Sequence, residues 1–235
     1  MENFGISHVK LPFLFDVDKL ERELSVIINS EWVSHFNTYG YNGNWKSVAL
    51  YSFNGEKNNI HVAITRTELK ETVLLKKTPY FKEVISSFRA PLLSVRLLKL
   101  DKGSVIKPHK DFNLGYADGT IRIHIPIITN KDVVFLLKGE RIVMNQGECW
   151  YTNVNYTHSV ENQGNTDRVH LVIDLERNKW TDDLFFSLTA KEDFFPKTSQ
   201  NYDKETVIRM IDELQNQSSL AAKELIVTLK KQLEN

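Results

Sequence analysis

The chain has 235 residues, 41% hydrophobic and 26% charged, the make-up of a globular domain with a core rather than of a disordered segment. Lysine plus arginine equal aspartate plus glutamate at 30 each, so there is no net basic field of the kind that holds nucleic acid. The single cysteine, Cys149, excludes an intrachain disulfide, and without a leader-like or membrane-length apolar run the expectation is a soluble cytoplasmic protein.

From Val17 to Ser30 the apolar positions Leu20, Leu24, Ile27 and Ile28 recur at helical spacing. Trp45 to Phe53 and Ile60 to Ile64 read as strands, separated by the turn-rich stretch Asn54-Gly55-Glu56-Lys57-Asn58-Asn59. Thr78-Pro79-Tyr80 opens a helix that carries Phe81, Val84, Ile85 and Phe88 on one face. From about residue 92 the texture changes to short β-rich runs. They are Leu93–Leu100, Val105–Lys107, Ile121–Ile128, Val133–Leu137, Arg141–Met144, Glu148–Thr152 and Arg168–Leu175. Turn signals such as Lys102-Gly103, Lys138-Gly139 and Gln146-Gly147 separate them, which points to a β-sandwich or barrel rather than a βαβ fold. Lys204 to Gln215 and Ser219 to Leu233 read as two amphipathic helices. The expected division is one domain over 1–195, with an α/β flank at its N-terminal side, and a helical segment over 200–235.

Four places carry chemistry. His109-Lys110-Asp111 offers an imidazole and a carboxylate on one side of an extended strand. His158 offers a second imidazole, although taken alone a structural histidine explains it better. Two histidines and one carboxylate on one face of a metal leave the opposite face open, the arrangement of oxygen-activating iron(II) enzymes. The same set can hold zinc, and the residues by themselves do not choose. Arg168 lies in an apolar strand and therefore calls for a buried anion. A dicarboxylate would supply one through a bidentate pairing. Asp174 is a poor alternative partner, because six residues along a strand span about 20 Å. Arg122 and His124 share a strand face opposite Ile121, Ile123 and Ile125, either as a binding surface or as a solvated outer face.

Taken in order, Pro108-His109-Lys110-Asp111-Phe112, Ile121-Arg122-Ile123-His124, Gly147-Glu148-Cys149-Trp150, His158-Ser159 and Arg168-Val169-His170-Leu171-Val172-Ile173-Asp174 resemble the aspartyl/asparaginyl β-hydroxylase family, nearest to its L-proline cis-4-hydroxylase branch. The resemblance spans about residues 92–176. It implies a mainly β fold, a double-stranded β-helix (jelly-roll, cupin-like) barrel with flanking helices and a C-terminal helical hairpin. It implies Fe(II) held by His109, Asp111 and His158. It implies 2-oxoglutarate as co-substrate, gripped by Arg168 with His124 nearby, and Arg122 on the carboxylate of an amino-acid substrate. His170 is a lesser candidate on the face of Arg168. A serine that assists the arginine in a relative aligns with Leu98, which leaves Arg96 or Thr152 as candidate helpers, and an aspartate common before the second histidine is Asn153 here.

The expected activity is hydroxylation of an unactivated C–H bond of a free amino acid, proline-like or other. One alternative is an Asp, Asn or other side chain in a peptide or carrier-bound substrate. Another, of a different class, is a non-catalytic barrel that binds a metal or small acid. Expected partners are a small molecule or peptide and a second copy of the chain through the C-terminal helices, with neither nucleic acid nor membrane.

Overall fold

The computed structural model describes residues 4–30, 32–62, 68–195 and 202–234. The strands, in chain order, are β1 (His8–Leu14), β2 (Val33–Ser34), β3 (Tyr41–Asn42), β4 (Trp45–Ser52), β5 (Lys70–Glu71), β6 (Leu92–Leu100), β7 (Val105–His109), β8 (Thr120–Ile128), β9 (Val133–Leu137), β10 (Glu140–Ile142), β11 (Glu148–Thr152), β12 (His158–Asn162) and β13 (Arg168–Glu176). The helices are α1 (Val17–Ile27), α2 (Pro79–Ser86), α3 (Lys179–Phe186), α4 (Lys191–Phe194), α5 (Lys204–Gln215) and α6 (Leu220–Glu234).

Among the described residues the strands form two antiparallel sheets. The larger runs β1-β11-β8-β13-β6-β4-β2, with β5 on β4, and the smaller runs β10-β9-β12-β7-β3. This is the double-stranded β-helix expected from the sequence. Antiparallel sheets usually leave one face to water, but the centre of the larger sheet buries both. Ile121, Ile123, Ile125 and Ile127 of β8 and Val169, Leu171, Ile173 and Leu175 of β13 pack in one core with Leu20, Leu24 and Ile27 of α1 and Phe81, Val84 and Ile85 of α2. The alternate positions turn toward the smaller sheet, and there the side chains are polar: Arg122, His124, Arg168, His170 and Asp174 are all buried. A second core, with Leu100, Ile106, Phe135, Leu137 and Val160, fills the rest of the space between the sheets.

Local chemistry explains the connections. The β9–β10 hairpin turns on Lys138 and Gly139, with φ of 56° and 84°, the double left-handed pair that a tight two-residue hairpin needs. Asp16 caps α1 by accepting from Lys19 N at 3.1 Å. Helix α2 starts where Thr78-Pro79 predicts, but its cap comes from another helix. Both carboxylate oxygens of Glu23 accept from Tyr80 N and Phe81 N at 2.7 Å each, placing a negative charge on the helix N-terminus.

One predicted strand fails. Ile60–Val62 join no strand, and Ala63 and Ile64 lie outside the described residues. The carbonyl of Ile60 accepts instead from Arg96 Nη1 at 3.0 Å, so a side chain takes the acceptor a ladder would use. At the other end of the chain, Val207, Ile211 and Leu229 make a small core between α5 and α6. Buried Arg177, which also donates to Asp182 on α3, lies 2.7 Å from Glu224 of α6 and ties that hairpin to the barrel. No described helix is long and apolar enough to cross a membrane.

Candidate metal centre and its cavities

His109 closes β7 and His158 opens β12, and the two residues face each other in the ladder between those strands. Their rings stand 4.2 Å apart between centroids. Asp111 follows two residues after His109, its own N–H held by Val154 O at 2.9 Å. Ligand atoms of His109, Asp111 and His158 all lie within 4.8 Å of one another. The sheets thus bring together the three residues that the sequence set apart by up to 49 positions.

Each imidazole is oriented by its backbone. His109 Nδ1 sits 2.8 Å from Lys107 O and His158 Nδ1 3.1 Å from Tyr156 O. A carbonyl accepts only, so both Nδ1 atoms carry a proton and Nε2 is the ring atom left to face a metal. Burial pushes His158 down to about 4, so its ring is neutral at neutral pH, as a ligand must be. Asp111 is the complement. Burial would raise its pKa, but the Arg122 guanidinium 2.8 Å from Oδ2 holds it below the ordinary carboxylate value. Oδ1, 3.8 Å from His109 Nε2, remains for a cation. Two imidazole nitrogens and one carboxylate oxygen fit a divalent first-row metal.

Arg122 donates through Nε to Asp174 Oδ1 at 2.7 Å and through Nη2 to Oδ2 at 3.3 Å. Asp174 also accepts from Arg96 Nη2 at 2.7 Å and Ser94 Oγ at 2.8 Å. Neighbouring strands β6, β13 and β8 put these groups side by side, because Asp174 stands opposite Ser94 on one flank and Arg122 on the other. Arg96, a candidate helper of Arg168, is therefore committed to Asp174. Thr152, the other candidate, has a buried hydroxyl without a partner. The expected aspartate position, Asn153, uses its amide to donate to Phe4 O at 2.7 Å, a bond a carboxylate could not make.

Arg168 is 3% exposed. Among the described residues no carboxylate pairs with it, its Nε has no partner, and burial lowers its pKa. Its Nη2 donates to His170 Nδ1 at 3.1 Å. His124 is buried beside His170, with ring centroids 5.6 Å apart, and its Nδ1 is unpartnered. Burial lowers the pKa of both rings well below the ordinary histidine value.

Three spaces lie in a row through the barrel. A small inner one is bounded by the three candidate ligands together with Arg122, His124 and Arg168. A front cavity of about 640 Å³ shares His109, Asp111 and Arg122 with it and adds Arg96, His35 and Phe36. A rear cavity shares Phe135 and Arg168 with the inner space. Sequence reasoning missed the front wall, where His35 stacks on Trp45 at 3.6 Å. The one available signal was Ser94-Val95-Arg96, a polar alternation inside an apolar run.

An open two-sheet barrel with two histidines and an aspartate at its mouth defines a protein of the jelly-roll metal-site class. Residues 15–178 match the aspartyl/asparaginyl beta-hydroxylase family, and the chain belongs to that family. It is 25% identical to the L-proline cis-4-hydroxylase of Rhizobium meliloti (strain 1021) over 164 residues, 69% of this chain and 58% of that protein. The chain thus spans little more than half the length of that relative. Among solved structures it is similar to a 2OG-Fe(II) oxygenase family oxidoreductase from Burkholderia pseudomallei, with TM-score 0.49 and 16% identity over 73% of this chain and 86% of that one. It is also similar to HygX from Streptomyces hygroscopicus, solved with nickel and 2-oxoglutarate, with TM-score 0.49 and 11% identity over 74% and 84%.

Proposed function

We propose that this protein is an Fe(II)- and 2-oxoglutarate-dependent dioxygenase that hydroxylates an unactivated C–H bond of a free amino acid. The observation that carries the reading is Arg168. It is a buried guanidinium that no carboxylate among the described residues pairs with, at one end of a space whose other end is the His109, Asp111 and His158 cluster. A buried cation without a counter-ion is costly, and a dicarboxylate reaching from the metal to Arg168 removes that cost. Iron(II) is held by His109, Asp111 and His158 in this reading, and with bound 2-oxoglutarate it supplies the oxygen-activating chemistry.

The chain's own groups bind and orient. Arg168 receives the far carboxylate of 2-oxoglutarate and His124 lies beside the co-substrate. Arg122 fixes Asp111 and retains N–H groups on its terminal nitrogens for a substrate carboxylate. Arg96 lines the same front cavity and stands as a second group on that side. The match to the proline hydroxylase supports a free amino acid as substrate. A side chain in a peptide is the second reading. It is favoured by the front cavity's continuation past Val62, Phe112 and Leu114 into a further cleft that ends at the α5–α6 turn. Ile208, Leu225 and Val227, exposed on those helices, support pairing of two copies through the hairpin.

The test is anaerobic titration of iron(II) and 2-oxoglutarate into metal-free protein, following the visible charge-transfer absorption of the chelate. The band is expected in the native protein and not in His158→Ala. Iron binding without the band would overturn the reading in favour of a binding barrel or a zinc site. Succinate release in the presence of free amino acids or peptides then separates the two substrate classes.

A further inference from the structure

The rear cavity, about 560 Å³ in volume, lies on the side of Arg168 away from the metal ligands. Its wall is unusual for a chain of zero net charge. Lys131, Arg141 and Arg168 line it, and among the described residues no carboxylate does. Lys131 and Arg141 are exposed at its mouth. Arg141 is held in place there, because its Nη2 donates to Lys131 O at 2.8 Å and Val133 O at 3.1 Å.

At the inner end is His170, 2% exposed. Its Nδ1 accepts from Arg168, so its Nε2 bears the proton, and that N–H has no partner. An unpaired buried donor is costly, and the Nε of Arg168 next to it is a second one. Two exposed cations at a mouth, followed by two unsatisfied buried donors, describe a path for an anion. Among the described residues Phe135 and Arg168 alone are common to the rear cavity and the inner space, so these two side chains form the partition.

We propose that the rear cavity is the passage by which the dicarboxylate co-substrate reaches the metal centre and its dicarboxylate product leaves. This rests on the assignment of 2-oxoglutarate above. Lys131 and Arg141 draw the dianion to the mouth, His170 and Arg168 take over its carboxylate, and rotation of Arg168 with Phe135 opens the partition. The front cavity is then left to the amino-acid substrate, so the product can leave while that cavity is still filled.

The experiment is stopped-flow mixing of 2-oxoglutarate with iron(II)-loaded protein without oxygen, reading the rate at which the charge-transfer band appears. Charge reversal at a steering site slows association more than dissociation. Lys131→Glu and Arg141→Glu are each expected to lower the association rate constant roughly three- to tenfold at low salt, with the difference fading at high salt. Lys204→Glu, at an exposed position of α5 outside the cavity lining, makes the same change in net charge and should leave the rate unchanged. Val143 lines the cavity and is 60% exposed. Val143→Trp should slow association and dissociation together and leave affinity unchanged. If the band forms at the native rate in Lys131→Glu, Arg141→Glu and Val143→Trp, the co-substrate comes through the front and the inference is wrong. If native protein gives no band, the co-substrate assignment itself fails.

Discussion

Asp174→Asn is the substitution that best tests how the site is held. The carboxylate is completely buried and accepts from Arg122 Nε, Arg122 Nη2, Arg96 Nη2 and Ser94 Oγ. An amide keeps the shape but loses the charge, and it turns an NH₂ toward at least one guanidinium. The side chains of Arg122 and Arg96 are only 9% and 12% exposed, so water replaces little of the loss. Breaking a buried ion pair from one side costs about 3–5 kcal/mol, and the remaining exposure places this case near 3. In urea that is a fall in midpoint of about 1 M or slightly more, with unchanged slope. The sign with pH is also fixed. The guanidinium of Arg122 offsets burial and holds the Asp174 carboxyl far below the ordinary value. Its stabilisation is therefore present above the unfolded pKa of about 3.9 and is lost as pH falls below it. The gap between native and Asp174→Asn proteins should narrow in acid. Adding Arg96→Met to Asp174→Asn should recover at least about 1 kcal/mol, because it removes one of the stranded cations. A midpoint shift under about 0.3 M for Asp174→Asn would refute the argument, since it would mean that the two guanidiniums do not depend on this carboxylate.

Burial lowers the pKa of His124, His158 and His170, so the unfolded chain binds protons there that the metal-free folded one does not. Stability should rise between about pH 5 and 6.5, by up to about 1.4 kcal/mol per pH unit per histidine, and a flat urea midpoint over that range would contradict the burial. Glu224→Gln should loosen the C-terminal helices from the barrel by weakening the contact with Arg177, read as faster amide exchange in α5 and α6 with exchange in β13 unchanged. Glu23→Gln weakens the charged cap on α2 and should cost about 1 kcal/mol in thermal or urea unfolding. A loss restricted to iron binding would instead place Glu23 in the metal site.

The sequence was most legible where apolar runs were bracketed by turns. Val133–Leu137 and Glu148–Thr152 were predicted with the bounds they have in the fold. Strand β12 was not predicted, and the reason is chemical. Its residues, His158-Ser159-Val160-Glu161-Asn162, spend two of the three alternate inward positions on an imidazole and an amide and leave only Val160 apolar, so no apolar alternation survives. The α3 helix was unseen because its pattern is short. Arg122 and His124 could be read as inward or outward, and only burial of both faces of β8 decides it. Spacing along one strand compares Asp174 only with Arg168. Its real partners lie on adjacent strands, 52 and 78 residues away along the chain, a relation that follows from strand order and not from spacing.

Strand β1 also escaped prediction, and its position has a consequence for how the protein is made. It pairs with β11, so once made it waits for a strand that follows well over a hundred residues later. At ordinary elongation rates that delay is roughly ten seconds or more. Throughout it, β1 is an unpaired edge available to neighbouring nascent chains. Its sequence, His8-Val9-Lys10-Leu11-Pro12-Phe13-Leu14, carries a lysine and a proline in the middle, the two residues that most discourage edge-to-edge pairing. The register with β11 breaks between Leu11 and Leu14, the stretch that contains Pro12. The imperfect ladder is thus the native counterpart of a strand made to stay solitary until its partner arrives.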